Sequence, residues 1–192
     1  MNNIAFLNNS GYNTWGGVEK WTYKMAKALQ NRGHFVVLYA REESVIYKKF
    51  ESNNLPVEKI NKISSTSFIN PFRISSLSDS FKKIKIDSIF FCSSPTFKLG
   101  TVTAKIANLK NIIYRRGSAI PIKNNFYNRF LLRHITAFIS NSLATKNESL
   151  KNFGNYLDDK MHLIYNGVNI DKFINVKNKS NLNKEFGISS EK

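Results

Sequence analysis

Five short stretches of this sequence carry residue types that can do chemistry: Gly16-Gly17, Ser93-Ser94, Arg115-Arg116-Gly117, Asn141-Ser142 and Asn166-Gly167. Each lies beyond an apolar run, and together they offer backbone amides, hydroxyls, side-chain amides and two adjacent cations. Glycines let a backbone approach a ligand closely, and the free N–H groups of a helix start favour an anion there. Guanidinium groups present a planar fork of donors that suits phosphate. The chemistry implied is the holding of phosphate groups, first of all at Gly16 and Gly17. Two plainer readings stand beside it. A Gly-Gly pair before a helix also serves as punctuation, and paired arginines at a strand end also make a surface turn.

Other chemistries find little support. The histidines His34, His134 and His162 are far apart, and no His/Cys/Asp cluster has ligand spacing, so no metal and no cofactor is expected. Gly-x-Ser-x-Gly, Gly-Lys-Ser/Thr and the three-glycine dinucleotide fingerprint are all missing. The single cysteine, Cys92, sits in the apolar run Ile89-Phe-Phe-Cys and reads as a buried structural thiol.

The elements that must position these loops follow from periodicity. Val18, Trp21, Met25, Ala28 and Leu29 recur at three- and four-residue steps and predict one buried face of a helix after Gly17. Gly33 reads as its left-handed stop. Apolar runs at 4–7, 35–40, 57–63, 88–92, 111–114, 136–140 and 161–165 predict seven strands. Helical patterns fall between them at about 42–53, 72–85, 97–109, 125–134 and 142–154. Strands alternating with helices predict an α/β fold, a Rossmann-like parallel sheet with helices on both faces. Ligands of such sheets bind beyond the carboxyl ends of the strands. Tyr12 and Asn13, in the loop before Gly16, join the residues expected to line that cleft.

With 192 residues and 42% hydrophobic content, the chain has material for one ordinary domain. Neither a membrane span nor a signal peptide is evident, which predicts a cytoplasmic protein. Lys and Arg number 29 against 13 Asp and Glu, giving a net charge of +16, and no acid occurs between Asp87 and Glu148. Such a field attracts phosphates, anionic lipid or nucleic acid. Lack of a recognition motif argues against nucleic acid. On the helix at 125–134, Phe126, Phe130, Leu131 and Ile135 are expected to form the inner stripe. Arg129 and Arg133 then lie outside with Lys123 ahead, a basic face for the cytoplasmic side of a membrane or an anionic acceptor. A plain docked helix with a charged exterior is the alternative.

The ordered motifs resemble the N-terminal half of a GT-B glycosyltransferase of the retaining family 4 type. The resemblance is carried by Gly16-Gly17-Val18-Glu19, by Leu29 with Arg32-Gly33-His34-Phe35-Val36, and by Ala137-Phe-Ile-Ser-Asn141-Ser142. Leu163-Ile-Tyr-Asn166-Gly167-Val168-Asn169 with Phe173 completes it. It implies residues 1–173 as a Rossmann-like acceptor-side domain. Residues 174–192 would be a linker and the start of a C-terminal domain that binds the nucleotide-sugar. Gly16 and Gly17 would then meet the donor diphosphate, and Asn166-Gly167 would sit at the crossing between domains. Where the family often places a histidine near the transferred sugar, Arg116 is the best match. An arginine cannot shuttle a proton at neutral pH, though it can stabilise developing charge.

The expected activity is sugar transfer from a nucleotide-sugar to a saccharide or lipid-linked acceptor, with retention, in envelope polysaccharide or glycolipid synthesis. Arg116 is the catalytic candidate, and this half alone should be inactive. Cleft-lining candidates are Tyr12, Asn13, Ser93, Ser94, Arg115, Asn141, Ser142, Asn166 and Gly167. The alternative is a non-catalytic basic module that binds anionic lipid or phosphate-bearing ligands.

Overall fold

The computed structural model describes residues 1–168 together with Ile170 and Ile174. Its sheet contains β1 (Asn3–Leu7), β2 (Phe35–Ala40), β3 (Val57–Lys59), β4 (Ser88–Phe91), β5 (Asn111–Arg116), β6 (Ala137–Ser140) and β7 (Met161–Leu163). The order is β3-β2-β1-β4-β5-β6-β7, and every pairing is parallel. The helices are α1 (Gly17–Asn31), α2 (Val45–Glu51), α3 (Pro71–Ile84), α4 (Ser94–Ile106), α5 (Phe126–His134) and α6 (Leu143–Leu157). The expected Rossmann-like α/β architecture is therefore present.

Side-chain alternation along the strands builds two cores. Ile4 and Phe6 of β1 join Val36, Leu38 and Ala40 of β2 on one face, under Ala26 of α1 and Ile46 and Phe50 of α2. Ala5, Leu7, Val37 and Tyr39 point the other way and meet Leu77, Phe81, Phe97, Leu132 and Phe153 from α3 to α6. Phe81, Phe91, Phe97, Tyr114 and Phe138 are fully buried, each stabilising the fold by about 1.5–3 kcal/mol. Register at the amino edge is fixed by Asn3, whose backbone N–H donates to Asp87 Oδ2 at 2.8 Å. Its side-chain amide reaches the carbonyls of Ile84 and Lys85.

Helix starts follow their cap residues. Ser44, Asn70, Ser93, Asn125 and Ser142 each accept a bond from the backbone amide three residues on. Gly33 has φ 82 just past α1, as its position in the sequence requires. A cap at Ser44 starts α2 later than expected, and β3 stops at Lys59 instead of running to 63. The helix expected to end at Phe153-Gly154 continues to Leu157. Phe153 interrupts it with non-helical angles, φ −141 and ψ 24, while filling the core.

Two faces differ from their periodicity. The buried residues of α1 are Glu19, Thr22 and Ala26; Trp21 and Met25 flank them and Ala28 is exposed. A polar residue entered the inner stripe because the Glu19 carboxylate is consumed locally, as described below. On α5, Asn128, Leu131 and Leu132 are buried, while Phe126 and Phe130 are 77% and 48% exposed. The Asn128 amide donates to the Lys123 carbonyl at 2.7 Å, which turns this polar residue inward and both rings out. Asn169, Phe173 and, apart from Ile174, the expected linker 174–192 lie outside the described residues.

Candidate functional site

The carboxyl ends of β1, β4, β5 and β6 open on a cleft of about 480 Å³ lined by Gly17, Val18, Cys92, Arg115, Arg116, Gly117, Ser118, Asn141 and Asn166. Of the expected site residues, Gly17, Arg115, Arg116, Asn141 and Asn166 thus converge. Both arginines belong to β5 itself, which is two residues longer than its apolar run, and pair with Ile139 and Ser140 of β6. Strand alternation sends them to opposite faces of the sheet.

Arg115 is buried. Its guanidinium carbon lies 4.5 Å from the Trp21 ring centroid, and Nη2 donates to Asn166 Oδ1 at 3.0 Å. Gly117 is glycine for a packing reason: a Cβ there would stand 2.8 Å from Arg115 Nη1. Arg116 is half-buried and held by its own neighbourhood, donating from Nη1 to Tyr114 Oη at 3.1 Å and from Nη2 to the Ile120 carbonyl, while Nε is buried without a partner. Burial pushes the Cys92 thiol up to about 12, against the opposing pull of the Arg115 charge. A neutral thiol therefore lines the cleft at neutral pH.

The glycine turn is built by a residue that spacing alone undervalues. Gly16 precedes α1, and its N–H donates to Glu19 Oε2 at 2.8 Å. The other Glu19 oxygen accepts from the Ser10 hydroxyl. This is the acidic arm of a capping box, detectable as Glu three residues after the cap. It means that the Gly16 amide is already occupied, whereas Gly17 faces open space: beyond its chain neighbours and its own helical turn, nothing lies within 4 Å of where a Cβ would stand. The two glycines, expected to act alike, have different roles in the fold.

Several other candidates stand elsewhere. Ser93 lines an adjacent cleft of about 240 Å³ with Asn8, Ser10 and Glu19, where its hydroxyl is engaged with Thr96 as the cap of α4. Ser94 is exposed at the first turn. The Ser142 hydroxyl is likewise spent capping α6, accepting from the Thr145 amide at 3.2 Å. Tyr12 and Asn13 are exposed, and Tyr12 has the Arg41 guanidinium 5.9 Å from its ring, beyond β2. Gly167 lines a groove of about 370 Å³ with Lys20, Trp21, Lys24 and Asn166, on the flank of α1. Lys123, Arg129 and Arg133 are exposed around α5. Arg129 Nε donates to Asn124 Oδ1 at 2.6 Å, and Arg133 lies 5.2 Å from the Tyr156 ring. None of these three enters the arginine cleft.

Among the described residues, no group of three or more His, Cys, Asp or Glu side chains is placed to hold a metal ion, and no helix is long and apolar enough to cross a membrane.

The fold recurs in solved structures. A glycosyltransferase from Rickettsia africae superposes with a TM-score of 0.74 at 20% identity, over 99% of this chain and 50% of that one. Anabaena HepE, solved with UDP and glucose, gives 0.65 at 19% identity, over 96% and 50%. The lipopolysaccharide outer core galactosyltransferase WaaB gives 0.65 at 12% identity, over 88% and 46%. The chain thus spans about half the length of these structures. No curated protein matches it in sequence. The model of Glycosyltransferase Family 4 matches residues 15–172, a span that runs from the glycine turn through both arginines to Asn166. This chain belongs to glycosyltransferase family 4.

Proposed function

We propose that this chain is the acceptor-side half of a retaining glycosyltransferase. The complete protein would transfer a sugar from a nucleotide-sugar to a saccharide or lipid-linked acceptor, in envelope polysaccharide or glycolipid synthesis. One observation carries the reading: the open start of α1 at Gly17 and two arginines meet in one cleft at the carboxyl edge of a parallel sheet. Anionic groups of a donor suit that cleft. The names of the similar structures, a galactosyltransferase and a protein in complex with UDP and glucose, agree with this class of substrate. In this reading residues 1–173 form one domain, the segment from 174 leads into a nucleotide-sugar-binding domain, and the reaction needs no metal. Arg116 contributes charge stabilisation and not proton transfer, since its guanidinium stays protonated.

The test pairs the 192-residue chain with the complete two-domain protein in an assay of radiolabelled sugar transfer from UDP-, GDP- and TDP-sugars to a membrane lipid extract. Transfer is expected from the two-domain protein and negligible transfer from this half. Equal turnover by the half alone would overturn the division of labour, and no incorporation by either from any donor would overturn the activity.

A second feature points to the acceptor's setting. Phe126, Tyr127 and Phe130 are 77%, 60% and 48% exposed on the same helix as Arg129 and Arg133. Exposed aromatics beside cations suit an anionic lipid surface, which supports a peripheral position on the cytoplasmic face of the membrane. Sedimentation with anionic against neutral vesicles at low salt tests this: binding that ignores lipid charge removes the membrane assignment.

A further inference from the structure

Away from the arginine cleft, a pocket of about 430 Å³ opens between the end of β3 and the first half of α3. Small-molecule sites occupy about 300–1,000 Å³. Its floor is apolar, made by the buried side chains of Ile63, Leu77 and Leu99. Phe72 lines the rim with its ring 85% exposed, an apolar plate that the protein itself leaves uncovered. In the wall, the Tyr39 and Ser80 hydroxyls stand 2.9 Å apart. One bond joins these two groups, so whichever donates, the other keeps a hydrogen for an outside acceptor. Glu58, Asn61 and Ser76 add a carboxylate, an amide and a further hydroxyl. Charges nearly cancel here: Lys59 is paired with Glu42, and Glu58 offsets Arg73, in a chain of net charge +16. An anion gains little from such a lining, whereas a neutral polyol finds donors, acceptors and a ring. The pocket borders β3, the edge strand, four strand spacings from the arginines of β5, or about 19 Å. Asn9, just past β1, connects the two places. Its amide donates to the Ile63 carbonyl and its Oδ1 accepts from the Ile63 N–H, each at 2.7 Å, so the loop that leads to Gly16 is clipped to the pocket wall.

We infer that the β3–α3 pocket is a distal saccharide subsite, which holds a sugar unit of the acceptor several units back from the hydroxyl that receives the transferred sugar. The C–H face of a pyranose covers the Phe72 ring, and its hydroxyls meet Glu58, Asn61 and the free hydrogen of the Tyr39–Ser80 pair. Arg73 is fixed at the rim by donating from Nη1 to the Lys62 carbonyl at 2.6 Å and to Ser67 Oγ at 3.1 Å, so this wall stands before the sugar arrives. The inference rests on reading this half as the acceptor side, and it narrows the acceptor to a chain of sugars already several units long. The donor's own sugar is no candidate for the pocket, because on that reading it lies beside the arginine cleft.

Backbone amide NMR of the 192-residue chain tests this without donor or reaction. The probes are the methyl glycosides of glucose, galactose, mannose, rhamnose and N-acetylglucosamine, each titrated through the millimolar range. At least one should shift the amides of 60–63 and 72–77 saturably and leave those of 115–117 in place. No shift at the pocket amides with any of the five overturns the proposal. Phe72→Ala should weaken the binding about threefold or more, and a smaller loss overturns it. With its ring 85% exposed, Phe72 can be truncated without cost to the core. Phe126→Ala removes another exposed ring, outside this pocket, and should leave the affinity as it was. An equal loss there marks non-specific adhesion and overturns the proposal. Sugar transfer by the two-domain protein to the lipid extract is measured separately. There Phe72→Ala should raise the half-saturating amount of extract and not that of the nucleotide-sugar; the reverse overturns the acceptor assignment. Glycoside binding without transfer sinks the transfer reading and leaves a saccharide site standing, whereas transfer without glycoside binding sinks the subsite alone.

Discussion

The guanidinium of Arg115 stacks on Trp21, with 4.5 Å between its central carbon and the ring centroid, so α1 and the end of β5 are joined through a cation and a ring. A contact of this kind, shielded from water, is worth about 2 kcal/mol or more. It ties the glycine turn to the arginine that shares its cleft.

Gly117→Ala should disturb that pair without unfolding the domain. The added methyl stands 2.8 Å from Arg115 Nη1, the far end of a flexible side chain, so the arginine has to move and the backbone does not. The expected cost is about 1 kcal/mol, a fall in Tm of roughly 2–4 °C. Trp21 emission should change in the folded state. A fluorescence spectrum identical to that of the parent would show that Arg115 does not depend on the space at 117.

Glu19→Ala removes the acceptor for both the Gly16 amide and the Ser10 hydroxyl in a site where Glu19 itself is buried. Urea denaturation should register a loss of about 1–3 kcal/mol. Hydrogen exchange should quicken at the Gly16 amide while the β4 and β5 amides stay protected. A stability loss with no change at Gly16 would place the effect in core packing instead of in the turn.

Alkaline pH should weaken the fold. Burial raises the Cys92 thiol from an ordinary 9.0 to about 12, and the Tyr39 hydroxyl from 10.0 to about 12. Between those values the folded state holds more protons than the unfolded state, so stability falls with rising pH. The decline should begin near pH 9 with Cys92 and gain slope above pH 10 with Tyr39, to which the Tyr114 and Tyr47 hydroxyls, also raised by burial, add. Cys92→Ala should remove the slope that opens near pH 9 and reduce the slope above pH 10. Urea midpoints collected across this range check it, and an unchanged slope in Cys92→Ala would refute the assignment.

Much of this architecture was legible because parallel strands buried on both faces read as continuous apolar runs, as Phe35–Ala40 does. All seven strands and the helices between them followed from that pattern. Bounds shifted where a cap or a register contact took over, at Ser44 for α2 and at Arg115 and Arg116 for β5. Helix faces were misread where a polar side chain had a private partner: Glu19 on α1 and Asn128 on α5 displace the apolar stripe by bonding within their own turns. The convergence of Gly17, both arginines, Asn141 and Asn166 followed from the carboxyl-edge rule for such sheets. What spacing could not reveal was saturation. Ser93, Ser142 and the Gly16 amide have the right chemistry for a ligand, yet their bonds are already made inside the protein.

The place of β1 in the sheet has a consequence for how the chain acquires its shape. β1 lies inside the sheet, and its edges are met by Phe35–Tyr39 on one side and Ser88–Phe91 on the other. The other edge of Ile4 to Leu7 therefore stays open until β4, whose Ser88 pairs with Ile4, has been made. Pairings of such long range close slowly and leave hydrophobic strand edges open meanwhile. Amino-acid changes in β1 should therefore act on folding yield before they act on any property of the finished molecule.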